Sequence, residues 1–237
     1  MRWLEASLPS ATACFSGRTG GVSASPFDSL NLGILTDDER GAVLENRQRL
    51  AAALGVDGGR VAMARQVHGA ELRFHGEGPV PPHFLEPGDP PADADGHLTR
   101  TPALPLLVLV ADCLPVAMTG PEGLAMLHCG WRGLAAGIVG EAAGRIGATD
   151  AVVGPGIGPC CFEVGDEVFD AFSDLGPGLR QDRNLDLWEV ARRQLDRAGV
   201  ERVETAGICT FCDEENFFSH RRDGGVTGRQ AGIAWLD

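Results

Sequence analysis

The chain reads as a single α+β domain spanning residues 1–237, and three observations predict this. Apolar runs of strand length occur throughout, the most pronounced at 106–117 and 123–129, and between them lie stretches with apolar residues at helical spacing. The one long proline-rich segment, 76–96 with six prolines, is flanked by strand-like runs that need partners on both sides, so it is a loop and not a linker. No internal repeat or low-complexity segment is present, and 237 residues with 43% apolar content suffice for a substantial core.

Each element follows from its local pattern. Residues 11–16 form a short strand running into Gly17-Arg18-Thr19-Gly20-Gly21, a turn whose glycines let backbone approach a ligand. Residues 25–33 have the Pro, Asp, Ser and Asn of an ordered loop. Asp37 or Asp38 is placed to cap a helix over 39–54, where Val43, Leu44, Arg47, Leu50, Ala51 and Leu54 repeat at helical spacing and Gly55 stops it. Residues 60–67 and 70–75 read as strands with His68-Gly69 between them. Leu106–Ala117 is a strand-like run, and the run from Gly123 ends at His128 before a Gly-Trp-Arg-Gly turn. Leu134, Ile138, Val139, Ala142, Ala143 and Ile146 mark one amphipathic helix closed by Gly147. After a strand at 151–153 come the rigid loop Gly154–Cys161, a short helix over 165–172 and a mobile loop over 174–184. Asp186 caps a helix running to Ala198 with Gly199 as its stop, and strands at 202–208 and 229–235 bracket the loop 209–225.

Composition narrows function. A formal charge of −13 and a pI near 4.8 repel phosphodiester backbones, so nucleic acid is not an expected partner. The N-terminal segment has no basic leader before a long apolar stretch, and no segment reaches the roughly 18 apolar residues of a membrane span, so a cytoplasmic location is expected. The chain contains no lysine and no tyrosine, which removes Schiff-base chemistry and any tyrosine acid or base. Seven cysteines without a leader read as reduced thiols.

The candidate chemistry lies where strand-like runs end in polar side chains. His68, Cys113 and His128 supply the thiolate and imidazole ligands of an open three-ligand metal site, although separations of 45 and 15 residues match no short zinc motif. The competing reading is a Cys113–His128 or Cys113–His68 nucleophile pair, and the plainer one is small buried cysteines with locally bonded histidines. Asp112 stands beside them as an acid, a base or an orienting group. Arg132, at a helix start between glycines, suits an anion. Arg18 is either an anion contact or a turn residue, and His220-Arg221-Arg222-Asp223 either faces a phosphate or forms a surface ion pair. Cys209-Thr-Phe-Cys212 has no second CxxC and reads as ordinary reduced thiols, with a zinc knuckle or redox centre as the alternative, while Cys160 and Cys161 shape the glycine-proline loop. His75, His83 and His97 read as loop or surface residues.

These motifs resemble those of a known family. Gly17–Ser23 with Ser29–Gly33, Gln66-Val67-His68-Gly69, Ala111-Asp112-Cys113, His128–Gly133, Gly154–Gly165, Cys209-Thr210 and Phe217–Gly224 occur in the order of the YfiH-type laccase-domain proteins. That family was described first as multicopper polyphenol oxidases and later reassigned as purine nucleoside phosphorylases. The resemblance implies zinc on His68, Cys113 and His128, and an α+β sandwich of mixed sheet with flanking helices similar to the catalytic domain of necrotizing deamidase toxins. It implies phosphorolysis of adenosine, inosine and S-methyl-5′-thioadenosine, with adenosine deamination as a side activity. Asp112, Cys113 and His128 are then catalytic, Arg18 or Arg132 holds phosphate, and the partners are a nucleoside and phosphate. A Cys–His amidase acting as a peptidoglycan editing factor is the alternative, and a non-catalytic zinc module is another. A multicopper centre consumes roughly ten histidines and this chain has six, which leaves at most weak oxidation by adventitious copper. Cys129 stands where alanine is usual and Asp95-Gly96 where Ala-Leu or Ala-Ala is commoner. Neither departure is expected to touch a ligand position, and Cys129 is expected to add an oxidation-sensitive thiol beside the site.

Overall fold

The computed structural model describes residues 2–88 and 92–237, so Asp89, Pro90 and Pro91 of the proline-rich loop lie outside the described residues. Its elements are β1 (Trp3–Leu8), β2 (Ala11–Ser16), α1 (Arg40–Leu54), β3 (Leu72–His75), β4 (Gly96–Thr99), β5 (Leu106–Val110), β6 (Leu114–Gly120) and β7 (Gly123–Cys129). They are followed by α2 (Trp131–Ala135), α3 (Ile138–Ile146), β8 (Asp150–Val153), α4 (Asp166–Asp170), β9 (Arg180–Gln181), β10 (Asn184–Leu185), α5 (Leu187–Arg197), β11 (Arg202–Thr205) and β12 (Gln230–Leu236).

Two sheets are stacked. One is antiparallel in the order β1-β2-β12-β5; the other is mixed, in the order β11-β8-β6-β7-β4-β3, with parallel pairs only at its two ends. The period-2 alternation of strand side chains sorts the core into layers. On β7, Leu124 and Met126 fill the space between the sheets, while Ala125, Leu127 and Cys129 face α3 and α5. On β12, Ala234 points between the sheets and Ile233 points to the far side, against Leu50 of α1 and Leu30 and Leu32 of the preceding loop. The result is an α+β sandwich with helices on both outer faces. None of the described helices is long and apolar enough to cross a membrane.

Several local expectations change in the folded chain. The run 106–117 is not one strand: it crosses from one sheet to the other at Ala111-Asp112-Cys113, where Asp112 has φ +94. Residues 60–67 form no ladder beyond single bridges at Ala62 and Arg65. Instead the Gln66 amide clasps the backbone of Leu109, donating to its carbonyl and accepting from its N–H, both at 2.7 Å. Helix α1 has no side-chain cap, because Asp38 accepts from Asn31 and from the Glu39 amide. The predicted helix through Leu134–Ile146 breaks at Gly137, with φ +84, into α2 and α3. The 174–184 loop carries a two-strand ladder, β9–β10, and the strand from 202 stops at Thr205. Edge strand β1 carries no buried alternation, since four of its six residues are exposed and the other two are half-buried. Asp186 does cap α5, accepting from the Glu189 amide at 3.0 Å, and Gly55, Gly147 and Gly199 close their helices with positive φ.

Candidate metal centre and active-site cavity

The hairpin of β6 and β7 pairs Leu114 with Cys129 and Pro115 with His128, so Cys113 and His128 meet at one end of the mixed sheet. β4 pairs with β7 on its other side, Gly96 opposite Leu127, which sets Asp95 beside His128. Asp95 is fully buried and organises the site. Its Oδ1 accepts from the His68 backbone N–H at 2.9 Å and pairs with His128 Nδ1 at 2.7 Å; its Oδ2 accepts from Val67 and Gly69 N–H at 3.0 and 2.8 Å. Three amides and one imidazole thus converge on one carboxylate. They hold the His68 turn, whose φ of +60 an isolated histidine avoids. Occupying Nδ1 leaves Nε2 of His128 free to act as a ligand.

His68, Cys113 and His128 each present a ligand atom within 4.8 Å of the others. The imidazoles meet edge to face with centroids 4.8 Å apart. Burial alone would raise the Cys113 thiol, but the charge of His128 and hydrogen bonds from both imidazoles outweigh it and bring it down to about 6. Burial would lower His128, yet the Cys113 charge and the Asp95 hydrogen bond lift it to about 9. Both shifts favour the thiolate–imidazolium form of the metal-free pair. Asp95 is itself held below the ordinary carboxylate range: burial opposes this, and His128 with the Gly69 and Val67 amides prevails. One thiolate and two imidazoles in reach of a single point fit a zinc-type ion, with His68 on the exposed side.

Gly130 and Gly133 are required by close approach. A Cβ on Gly130 would lie 3.0 Å from Cys113 Sγ and 3.2 Å from His68 Cδ2, and one on Gly133 would lie 2.7 Å from the Gly69 carbonyl. The three residues open into a cavity of about 600 Å³, within the usual range for small-molecule sites. Met63, Leu109, Ile157 and Phe162 line it together with Arg132, Arg221 and Arg229.

The other sequence candidates separate. Arg132 lines the cavity with its guanidinium 4.3 Å from the Trp131 ring centroid, but α2 has only five residues, so a helix dipole contributes little there. Arg18 is not among the residues that line the cavity: it donates to the Asp28 and Glu214 carbonyls, pairs with the Asp28 carboxylate and covers Phe218. Asp112 sits beside Cys113 with both oxygens engaged, Oδ1 by the Thr210 hydroxyl and Oδ2 by the Arg221 N–H, each at 2.7 Å. The Arg221 side chain donates to the Glu163 carbonyl and Arg222 pairs with Asp223.

Cys129 is fully buried on the helix-facing side of β7, and burial, with the Cys113 charge second, pushes its thiol well above the ordinary value. It is a core residue and not an oxidation-sensitive thiol of the site. His97 is fully buried rather than on the surface and lies 3.0 Å from His75, while His83 lines the cavity. Asp95 and Gly96 also depart from expectation, since Asp95 bonds a ligand directly and a Cβ on Gly96 would lie 2.3 Å from Leu72. Arg229 is a further cavity residue missed in the sequence. Burial lowers its pKa, and the charges of Cys113 and Asp112 oppose that. No local pattern marks these residues, because their partners lie in remote segments.

Fold and site together define an α+β protein with a candidate thiolate–imidazole metal centre at the floor of a ligand-sized cavity. The chain belongs to the multi-copper polyphenol oxidoreductase laccase family, whose model matches residues 12–237. It is 37% identical to a purine nucleoside phosphorylase of Pseudomonas aeruginosa over 99% of this chain and 98% of that one. It is 39% identical to the purine nucleoside phosphorylase YfiH of Escherichia coli K12, over 94% and 93%. Among solved structures, YlmD from Geobacillus stearothermophilus superposes with a TM-score of 0.91 at 33% identity, covering 99% of this chain and 96% of that chain.

Proposed function

We propose that this chain is a zinc-dependent purine nucleoside phosphorylase acting on adenosine, inosine and S-methyl-5′-thioadenosine, with adenosine deamination as a second activity. The observation that carries this reading is the meeting of His68, Cys113 and His128 in a cavity also lined by arginines, in a chain whose full-length relatives are named for that activity. The apolar wall of Met63, Leu109, Ile157 and Phe162 accommodates a planar base and excludes water from it. Arg132 and Arg229 bind and orient phosphate against the ribose carbon, which lowers the entropic part of the barrier. Zinc, when bound by His68, Cys113 and His128, supplies a Lewis acid facing the cavity. Asp95 holds His128 in the Nδ1-protonated tautomer. Asp112, with both oxygens engaged, acts here as a positioning residue for the Thr210 hydroxyl and the Arg221 backbone.

The test is phosphate-dependent release of the free base from inosine and adenosine, measured with metal content on the same batch. His128→Ala is expected to lose both the metal at this site and the phosphorolysis. Full phosphorolysis in a variant without that metal refutes the proposal.

One observation favours a second reading, a Cys–His amidase: Cys113, His128 and Asp95 form a thiolate–imidazole–carboxylate chain of the kind used for nucleophilic acyl transfer. The two readings make opposite demands on Cys113. Alkylation blocked by zinc supports the phosphorylase, and alkylation blocked by an amide substrate in metal-free, active protein supports the amidase. A purely structural zinc module would close its site with a fourth protein ligand; among the described residues this group has three and faces a cavity.

A further inference from the structure

Four of the seven cysteines meet away from the cavity floor. Strands β8 and β11 are parallel neighbours, so the loops that follow them leave the sheet at the same edge. The first loop carries Cys160 and Cys161, and the second carries Cys209 and Cys212. The two loops are laced by backbone hydrogen bonds between Gly156 and Ile208 and between Thr210 and Gly156. The four sulfurs lie within 4.8 Å of one another. Cys160 to Cys212 is 3.6 Å, Cys161 to Cys160 is 3.5 Å and Cys161 to Cys212 is 3.4 Å.

These separations discriminate between chemistries. A disulfide needs about 2.05 Å. A tetrahedron built on zinc–sulfur bonds of about 2.3 Å has edges of about 3.8 Å, close to the three separations among Cys160, Cys161 and Cys212, with Cys209 Sγ within 4.8 Å of the others. A second feature points the same way. The Gly158 N–H donates to Cys209 Sγ at 3.2 Å, which stabilises a thiolate at that position as an amide does in a metal-bound knuckle. Packing four uncoordinated sulfurs at one exposed loop junction has no evident gain for a core, since Cys160 and Cys212 are both exposed.

We infer that Cys160, Cys161, Cys209 and Cys212 form a second metal centre, a closed tetrathiolate site for a zinc-class dication, distinct from the three-ligand centre in the cavity. Binding releases the thiol protons to solvent and leaves no open position, so the role of this centre is structural. Its place in the fold says what it holds. Thr210, between the paired cysteines, donates to Asp112 beside Cys113, and Arg222 donates to the Thr210 and Phe211 carbonyls. The other loop supplies Ile157 and leads to Phe162 of the cavity wall. The centre therefore clamps together two loops that wall the active-site cavity.

Metal counting tests this directly. Wild-type protein purified without chelator is expected to carry two zinc ions per chain, one for each ligand group, and His128→Ala and the pair Cys160→Ser/Cys212→Ser one each. Cobalt loaded into His128→Ala is expected to show the intense sulfur-to-metal charge-transfer band of an all-thiolate tetrahedral site, and in Cys160→Ser/Cys212→Ser that band is expected to be weak. A single zinc in the wild type that disappears in His128→Ala overturns the inference. So does a disulfide among these four cysteines, found by alkylation and mass spectrometry of freshly purified protein. If the serine variant fails to fold, the wild-type count and the cobalt spectrum of His128→Ala decide between the same two outcomes.

Discussion

Replacing Asp95 probes the site more sharply than replacing a metal ligand. Its carboxylate accepts four hydrogen bonds in a fully buried position, from three backbone amides and the His128 ring. Each buried donor left without a partner costs about 1–3 kcal/mol, and removing one member of a buried charged pair costs about 3–5 kcal/mol. Asp95→Ala is therefore expected to destabilise the protein by about 3–5 kcal/mol. At about 2–4 °C per kcal/mol for a chain of this size, the melting temperature falls by about 6–20 °C. Asp95→Asn keeps the volume but sets an NH₂ group against at least one pair of N–H donors, whichever way the amide is turned. It also weakens the support of His128, and the loss of such a partner lowers metal affinity roughly 10–100-fold. Competition with a chromophoric chelator reads the affinity, and thermal unfolding with and without zinc reads the stability. Wild-type affinity and melting temperature in Asp95→Asn would refute the view that this carboxylate builds the centre.

Three further predictions concern the same cavity, and a fourth concerns the Arg18 loop outside it. In metal-stripped protein, Cys113 is expected to gain reactivity toward iodoacetamide as the pH rises through about 6, because its thiol lies below the ordinary value of 9.0 and the thiolate persists above the shifted pKa. A midpoint near 8.5 would show that the ion pair with His128 does not form. Gly130→Ala is conformationally acceptable at φ −77 and ψ 164, so its cost falls on Cys113 and His68. Metal affinity is expected to drop by roughly tenfold or more while unfolding shifts by less than about 1 kcal/mol, and an unchanged affinity contradicts the close approach. Arg132→Ala is expected to raise the KM for phosphate about tenfold, equivalent to about 1.4 kcal/mol. Arg18→Ala is expected to leave that KM alone and to cost about 1–3 kcal/mol of stability, and steady-state kinetics beside denaturant unfolding would expose a reversed pattern.

Local pattern made much of the fold legible. The apolar run of β7 and the capped α5 follow from side-chain period and from Asp186 and Gly199, whose effects act within a few residues. What escaped depends on remote partners. Residues 60–67 have strand composition, yet Gln66 gives its side chain to Leu109 in place of a ladder. β1 has little alternation and exists through its pairing with β2. Gly137 lies inside a helical pattern, and only its positive φ reveals the break.

The sequence by itself determined which atoms are available: no lysine, no tyrosine, six histidines and seven cysteines, with Cys113 and His128 at the ends of adjacent apolar runs. That inventory falls short of the roughly ten histidines of a multicopper centre and restricts the candidate chemistry to thiols, imidazoles, carboxylates and arginines. Only the tertiary structure decided which of those groups share a point in space. It brought Asp95 under His68 and His128, took Arg18 out of the cavity, buried Cys129 and gathered four thiols from two loops. The physical reason is that residue type is a local property, whereas coordination and ion pairing fall off over a few ångströms and so depend on strand order and register.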